Sequence, residues 1–210
     1  MPLQNRVTPY GDLIATSARG LLMGNRGRLH DAERRIVRYA SGRRWIACLT
    51  SFRGRRRRVM SPGLYTELFF LDEAVALAAG HRPCAECRRA DYERFRAAWT
   101  RALDADTGPL PSADEMDSRL HDDRLSGRRT RRTYRERLGG LPDGAYVDVD
   151  GSPWLVAGDM LCPWSPAGYA STRPRTSGLV TVITPRCLVE VIRAGYGPSL
   201  HPSARPALAG

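Results

Sequence analysis

The sequence predicts an α+β protein, with an N-terminal zinc-knuckle module of a β-hairpin plus helices followed by a small, mostly β domain. Three observations predict it. Cys84 and Cys87 form a C-x-x-C between two segments of helical character, and from Leu141 onward the chain turns to short alternating apolar runs broken by Pro and Gly. Between these regions lies an acidic stretch with Pro and Ser, "DADTGPLPSADEMD". The boundaries read as a basic metal-binding module over 1–103, an acidic linker over 104–118, a basic helical arm over 119–140 and a β-rich domain over 141–210. A chain of 210 residues accommodates one good core or two small ones, since domains usually run to roughly 100–150 residues.

Taken in order, "GLLMGNRGRLHD" reads as a Gly-rich basic loop, and "DAERRIVRYA" as a helix that Asp31 can cap, with Ile36 and Tyr39 on one face. "RRWIACLTSF" has the β-branched and aromatic content of a strand. Gly54 marks a turn, so Trp45–Phe52 and Arg56–Met60 read as a hairpin with Arg53 to Arg58 at its tip. "TELFFLDEAVALAAG" begins as a strand and continues as a helix, with Asp72 as N-cap and Gly80 as the stop. "RADYERFRAAWTRAL" is a second helix whose Tyr92, Phe95 and Trp99 form an aromatic stripe suited to a core. "SRLHDDRLSGRRTRRTYRERL" is the polar helical arm. Asp150-Gly151 joins two short strands as a hairpin turn, "SGLVTVITP" is a further strand, and "RCLVEVIRAGY" is a short apolar helix or strand.

The net charge of +11 comes from 33 basic residues, all of them arginine. Residues 1–101 carry 20 arginines against 9 acidic residues, while the remaining segments are balanced, so the whole excess lies in the first half. A basic excess confined to one region is the footprint of a polyanion-binding surface, and nucleic acid is the commonest such partner. No apolar run approaches the ~18 residues of a membrane-spanning helix. The N-terminus lacks the basic, apolar and small-residue regions of a signal peptide, so a reducing, cytoplasmic setting is expected, and five cysteines do not read as a secreted disulfide framework.

A C-x-x-C at a turn places two thiolates on one tetrahedral ion, whereas a redox role needs a thioredoxin-like context that is missing here. Zinc is the expected cofactor. Beyond Cys84 and Cys87, the candidate ligands are Cys48 in the predicted strand and His30 in the Gly-rich loop; Cys162 and Cys187, in apolar settings, read as buried thiols.

The stretch "ELFFLDEAVALAAGHRPCAECRRAD", residues 67–91, resembles the metal-binding domain of the Ada family of methyl-acceptor DNA repair proteins. Phe69-Phe70, Ala78-Ala79-Gly80, Arg82-Pro83-Cys84, Cys87-Arg88 and Asp91 match its pattern, while His81 replaces an aromatic residue and Arg89-Ala90 a proline. The resemblance implies that Cys84 and Cys87 ligate zinc and that nearby arginines face DNA. It does not carry over the methyl acceptor, because the family's upstream cysteine pair is missing from "LTSFRGRRRRVMSP".

The leading expectation is thus a zinc-stabilised nucleic-acid-binding protein, directed at DNA more than RNA, in repair or regulation. Its phosphate contacts would be Arg53, Arg55, Arg56, Arg57, Arg58, Arg82, Arg88 and Arg89. One alternative is an enzyme acting on nucleic acid with a pocket in or beside the β domain, where Asp159, Trp164 and Tyr169 gather near prolines and His121, Asp122 or Asp159 would do acid-base work. Another is an interaction module for an acidic partner. No P-loop, G-x-G-x-x-G, G-x-S-x-G or H-E-x-x-H occurs, which argues against nucleotide hydrolysis and the commonest hydrolases.

Overall fold

The computed structural model describes residues 1–55, 58–103, 110–127, 129–204 and 207. Its N-terminal sheet comprises β1 (Gln4–Val7), β2 (Leu13–Ala15), β3 (Leu22–Asn25), β4 (Ile46–Leu49), β5 (Leu68–Phe70) and β6 (Arg82–Pro83), in the order β2-β1-β5-β3-β4-β6. The helices α1 (Glu73–Ala78), α2 (Arg89–Leu103) and α3 (Ala113–Arg124) follow or interleave with it. The second sheet holds β7 (Tyr134–Arg137), β8 (Tyr146–Val149), β9 (Ser152–Ala157), β10 (Met160–Ser165), β11 (Gly168–Tyr169), β12 (Arg173–Pro174) and β13 (Leu179–Val182). Its order is β11-β10-β9-β8-β13-β7, with β12 against β10, and α4 (Arg186–Arg193) comes last. The predicted α+β class holds.

Several elements form for the reasons legible in the chain. Asp72 caps α1, its Oδ1 accepting from the Val75 N–H at 2.9 Å, and Gly80 ends the helix at φ +84°. The stripe of α2 is buried: Tyr92, Phe95 and Trp99 pack with Met116 and Leu120 of α3 and Leu188, Val191 and Ile192 of α4. Each such side chain contributes on the order of 1.5–3 kcal/mol by its burial. Asp150 and Gly151 both take positive φ, the backbone a tight β8–β9 hairpin requires.

Other expectations fail. Residues 31–40 are not helical; His30 and Ile36 make an isolated antiparallel bridge instead. The predicted hairpin of Trp45–Phe52 with Arg56–Met60 is absent among the described residues: β4 pairs antiparallel with β3 and parallel with β6, and Arg58 to Met60 form no strand. Arg56 and Arg57 lie outside the described residues, as do 104–109 of the predicted linker. The rest of that linker opens α3 through a capping box, with Ser112 and Glu115 bonded reciprocally. The predicted helical arm is part helix and part strand, since its end becomes β7. The segments before and after the linker also share a core, in which Phe70, Leu71, Ala74 and Val75 pack with Tyr146, Leu155, Cys162 and Ile183.

Two buried carboxylates clamp this shared core. Asp72 accepts from the Tyr169 hydroxyl at 2.7 Å and the His201 N–H at 2.9 Å, while Glu73 accepts from Arg88 at 2.7 Å, the Tyr196 hydroxyl at 2.5 Å and the Ser199 N–H at 2.9 Å. Glu73→Gln removes one of the two carboxylate charges opposing Arg88, Asp91 being the other, and is expected to lower stability by up to about 3 kcal/mol, read from the denaturant midpoint.

His81 lies wholly buried between Trp45 and Phe70, ring centroids 5.1 and 4.8 Å away, with neither ring nitrogen hydrogen-bonded. Desolvation, reinforced by Arg26, Arg124 and Arg131, holds its pKa well below the ordinary value. The unfolded chain binds a proton there below ~6.5 and the folded one refuses it, so stability is fully present above that pH and is lost as pH falls. Between about pH 7 and 5 the wild-type protein should lose up to roughly 2 kcal/mol more than His81→Phe, measured by urea unfolding at both pH values.

Candidate metal centre

Strand pleating creates one wall of the centre. Side chains alternate across β4, so Trp45 and Ala47 pack inward while Ile46 and Cys48 line the opposite face. Register places Met23 of β3 beside Cys48, and Phe69 of β5 beside Met23, making a row across three strands. Gly24 faces the other way, where a Cβ would stand 2.1 Å from the Ile46 carbonyl oxygen and 2.8 Å from the Phe70 ring.

The knuckle forms the other wall. Because β6 runs parallel to β4, the Cys84 N–H donates to the Ala47 carbonyl at 2.9 Å, setting Cys84 next to Cys48. The chain then turns, with the Arg88 N–H donating to the Cys84 carbonyl at 3.1 Å, and enters α2. This turn brings Cys87 back to the sheet, where its sulfur accepts from the Leu49 N–H at 3.4 Å; the Cys84 sulfur accepts from the Glu86 N–H at 3.4 Å. The three Sγ atoms lie within 4.8 Å of one another. A tetrahedral zinc about 2.3 Å from each thiolate needs sulfurs about 3.8 Å apart, so this cluster can hold a metal ion.

The electrostatics favour thiolates at the knuckle. The Cys48 S–H donates toward Cys84 and, against the penalty of burial, brings its pKa down to about 5, with backbone N–H groups of Cys87 and Glu86 adding to the effect. Cys87 is lowered chiefly by the same donor. Cys48 is correspondingly raised, since it keeps the proton its two neighbours share. A cation among the three sulfurs takes over that proton's role, and metal binding there releases protons.

Beside the sulfurs lies a cavity of about 630 Å³, lined by all three cysteines, by Met23, Ile46, Leu49, Phe52, Val59, Tyr65 and Phe69, and by the polar Asn25, Thr50, Arg55, Glu67 and Glu86. Arg55 pairs with Glu86 at 2.7 Å, and the Met60 N–H donates to Glu67 at 2.7 Å. Sequence reasoning finds the cysteines but misses these walls, because Met23, Phe52 and Phe69 carry no local signal and meet only through sheet register.

The other predicted site residues disperse. His30 is outside the cluster; its ring is held by the Thr66 hydroxyl at 2.6 Å and the Ser61 carbonyl at 3.2 Å. Arg82 and Arg88 are buried and structural: Arg82 makes a two-pronged pair with Asp117 at 2.9 and 2.8 Å, and Arg88 bonds Glu73 and Asp91. Arg53, Arg55, Arg58 and Arg89 are exposed, the last pairing with Glu93 at 2.6 Å. His121 sits on α3 with Nδ1 3.4 Å from Arg124, Asp122 is exposed on the same helix, and Asp159 is exposed at the β9–β10 turn. None of the three lines the cavity at the cysteines. In the segment expected to hold a second pocket, Tyr169 instead turns its hydroxyl inward to Asp72, and Trp164 packs against the shared core. Cys162 and Cys187 are buried thiols, as expected.

Comparison with known proteins leaves this geometry as the ground for a functional reading: no family model, curated protein or solved structure matches the chain.

Proposed function

We propose that the chain is a zinc-holding, nucleic-acid-binding protein, with DNA the expected polymer. The observation that carries the metal half is the convergence of Cys48, Cys84 and Cys87 from two separate segments onto one point. Soft thiolates select zinc over hard oxygen-seeking cations. The nucleic-acid half is supported by the segment that supplies Phe52 and Val59 to the cavity wall, because the same segment exposes Arg53, Arg55 and Arg58. The likeness of residues 67–91 to the Ada metal-binding segment points the same way, towards repair or regulation. All five cysteines are free thiols, in keeping with a reducing compartment such as the cytoplasm. Among the described residues no helix is long and apolar enough to cross a membrane.

A second reading, an enzyme acting on nucleic acid, is favoured by one observation: the cysteine cluster opens onto a cavity instead of being sealed. Its chemistry would then lie at the cysteines and not at His121, Asp122 or Asp159.

Metal analysis of protein purified without chelator should give one zinc per chain, reduced to a minor fraction in Cys84→Ser and in Cys48→Ser. Zinc-free native protein overturns the metal half. For the second half, duplex DNA binding should weaken steeply with salt. Replacing Arg53, Arg55 and Arg58 together by Ala should weaken it irrespective of sequence and make the log–log salt slope shallower by up to about 2.7, at about 0.9 per phosphate contact. Unchanged affinity in that variant overturns the assignment of the arginine segment.

A further inference from the structure

We infer that a metal held by Cys48, Cys84 and Cys87 keeps its fourth coordination position open to the adjoining cavity, and that the occupant is the aromatic base of a nucleotide whose phosphate meets the arginine rim. The inference rests on the metal reading given above and adds to it the coordination state and the ligand class.

Zinc in a structural site takes four protein ligands, whereas a site built to receive a ligand supplies three and leaves the fourth to solvent or substrate. Here no further His, Cys, Asp or Glu ligand atom joins the three sulfurs among the described residues. The nearby candidates are engaged elsewhere: His30 with Thr66 and Ser61, Glu86 with Arg55, and Glu67 with the Met60 N–H. All three cysteines form part of the cavity lining, so the metal face they leave uncovered is the face towards the cavity.

The walls specify what can enter. Met23 and Phe69 continue the row that begins at Cys48, and Phe52 closes the space from the arginine segment, giving an apolar and aromatic slot for a planar ring. Asn25 and Thr50 add hydrogen-bonding groups for a ring edge. The volume of about 630 Å³ lies within the range of roughly 300–1,000 Å³ typical of small-ligand sites. Guanidinium groups stand at one side, with Arg53 and Arg58 exposed on the segment whose Arg55, in the lining, is already paired with Glu86. A ring donor to the metal, stacking walls and a phosphate at the arginines together describe a nucleotide. A free nucleotide and an unpaired residue of a strand present that same chemistry.

The test uses full-length protein with cobalt(II) in place of zinc, where thiolate charge-transfer bands report the three cysteines and visible d–d bands report the fourth ligand. Imidazole, a small aromatic nitrogen donor, should shift the visible bands saturably. A nucleoside monophosphate should displace it at a concentration about fivefold or more below that needed with ribose 5-phosphate, the advantage expected from stacking one base. A single-stranded oligonucleotide acting below the mononucleotide identifies the strand as the source, and the reverse identifies the free nucleotide. Charge-transfer bands with visible bands that imidazole does not move mean a closed site and overturn the inference while leaving the metal reading intact. Equal potency of nucleotide and ribose phosphate overturns the assignment of a base. Absence of the charge-transfer bands removes the metal reading, and this inference with it.

Discussion

The structure turns on two adjacent buried carboxylates, Asp72 and Glu73. The helix they begin is only six residues long, too short to persist on its own, and every residue in it is buried. Asp72 caps the helix from inside and takes the Tyr169 hydroxyl and the His201 N–H; Glu73 takes Tyr196 and Ser199, so α1 is fastened to the C-terminal segment that covers it. The same Glu73 holds Arg88, the residue directly after Cys87. One carboxylate therefore connects the shared core to the exit of the knuckle. Ion pairs this deep contribute little net stability against a hydrophobic replacement, but breaking one is costly, and that asymmetry enforces a single arrangement. The position of Cys87 is a consequence of it.

Burial also changes what the charge of the chain means. Arg6, Arg26, Arg82 and Arg88 are buried in the arginine-rich first half, as is Arg124 beyond it. Arg26 lies over Tyr39 and Trp45 with its guanidinium carbon 4.1 and 4.8 Å from the ring centroids, and Arg124 lies 4.0 Å over Trp45 while donating to the carbonyls of Gly80 and Arg43. Arg26 and Arg124 are thus set against ring faces and backbone oxygens, which a planar guanidinium can use better than an ammonium, while Arg82 and Arg88 pair with carboxylates. A composition count cannot separate them from surface charge. The basic excess is genuine, but the surface share of it is narrower than the count suggests, and it is spread over several segments: Arg19, Arg28, Arg43, Arg44, Arg89 and Arg94 are exposed as well as Arg53, Arg55 and Arg58.

What was legible in the sequence is local. The α2 stripe, the Asp72 cap, the Gly80 stop and the Asp150-Gly151 turn each depend on residues a few positions apart, and the structure follows them. What was not legible is the partner of each strand. "RRWIACLTSF" reads correctly as a strand, but its neighbours are β3 and the two-residue β6, from chain segments before and after it, and not the arginine run that follows directly. "DAERRIVRYA" has helical spacing, yet tertiary contacts take its groups: Tyr39 stacks on Arg26, and Asp31 is spent on the backbone N–H groups of Glu33 and Arg35. At the candidate site the two knuckle cysteines announce themselves by spacing. Cys48 becomes a neighbour only through the parallel pairing of β4 and β6, an interaction that residue spacing does not encode.

The same pairing bears on why, among the described residues, the cluster stops at three sulfurs. With β4 flanked by β3 and β6, the side chains on its cavity face are already fixed, and Cys48 is the one among them with a soft donor. The row beside it is Met23 and Phe69, and the segment that crosses the remaining side offers Phe52, Arg55 and Val59. From Leu49 to Met60, the run "LTSFRGRRRRVM" contains no Cys, His, Asp or Glu. That segment brings rings and cations to the cavity in place of metal donors, and the carboxylates in the lining, Glu67 and Glu86, are bonded to the Met60 N–H and to Arg55. The half-site that C-x-x-C presents in the sequence thus becomes, in the fold, a cluster of three cysteine sulfurs beside a cavity bounded by aromatic and guanidinium groups, and it is this juxtaposition on which the proposed ligand site rests.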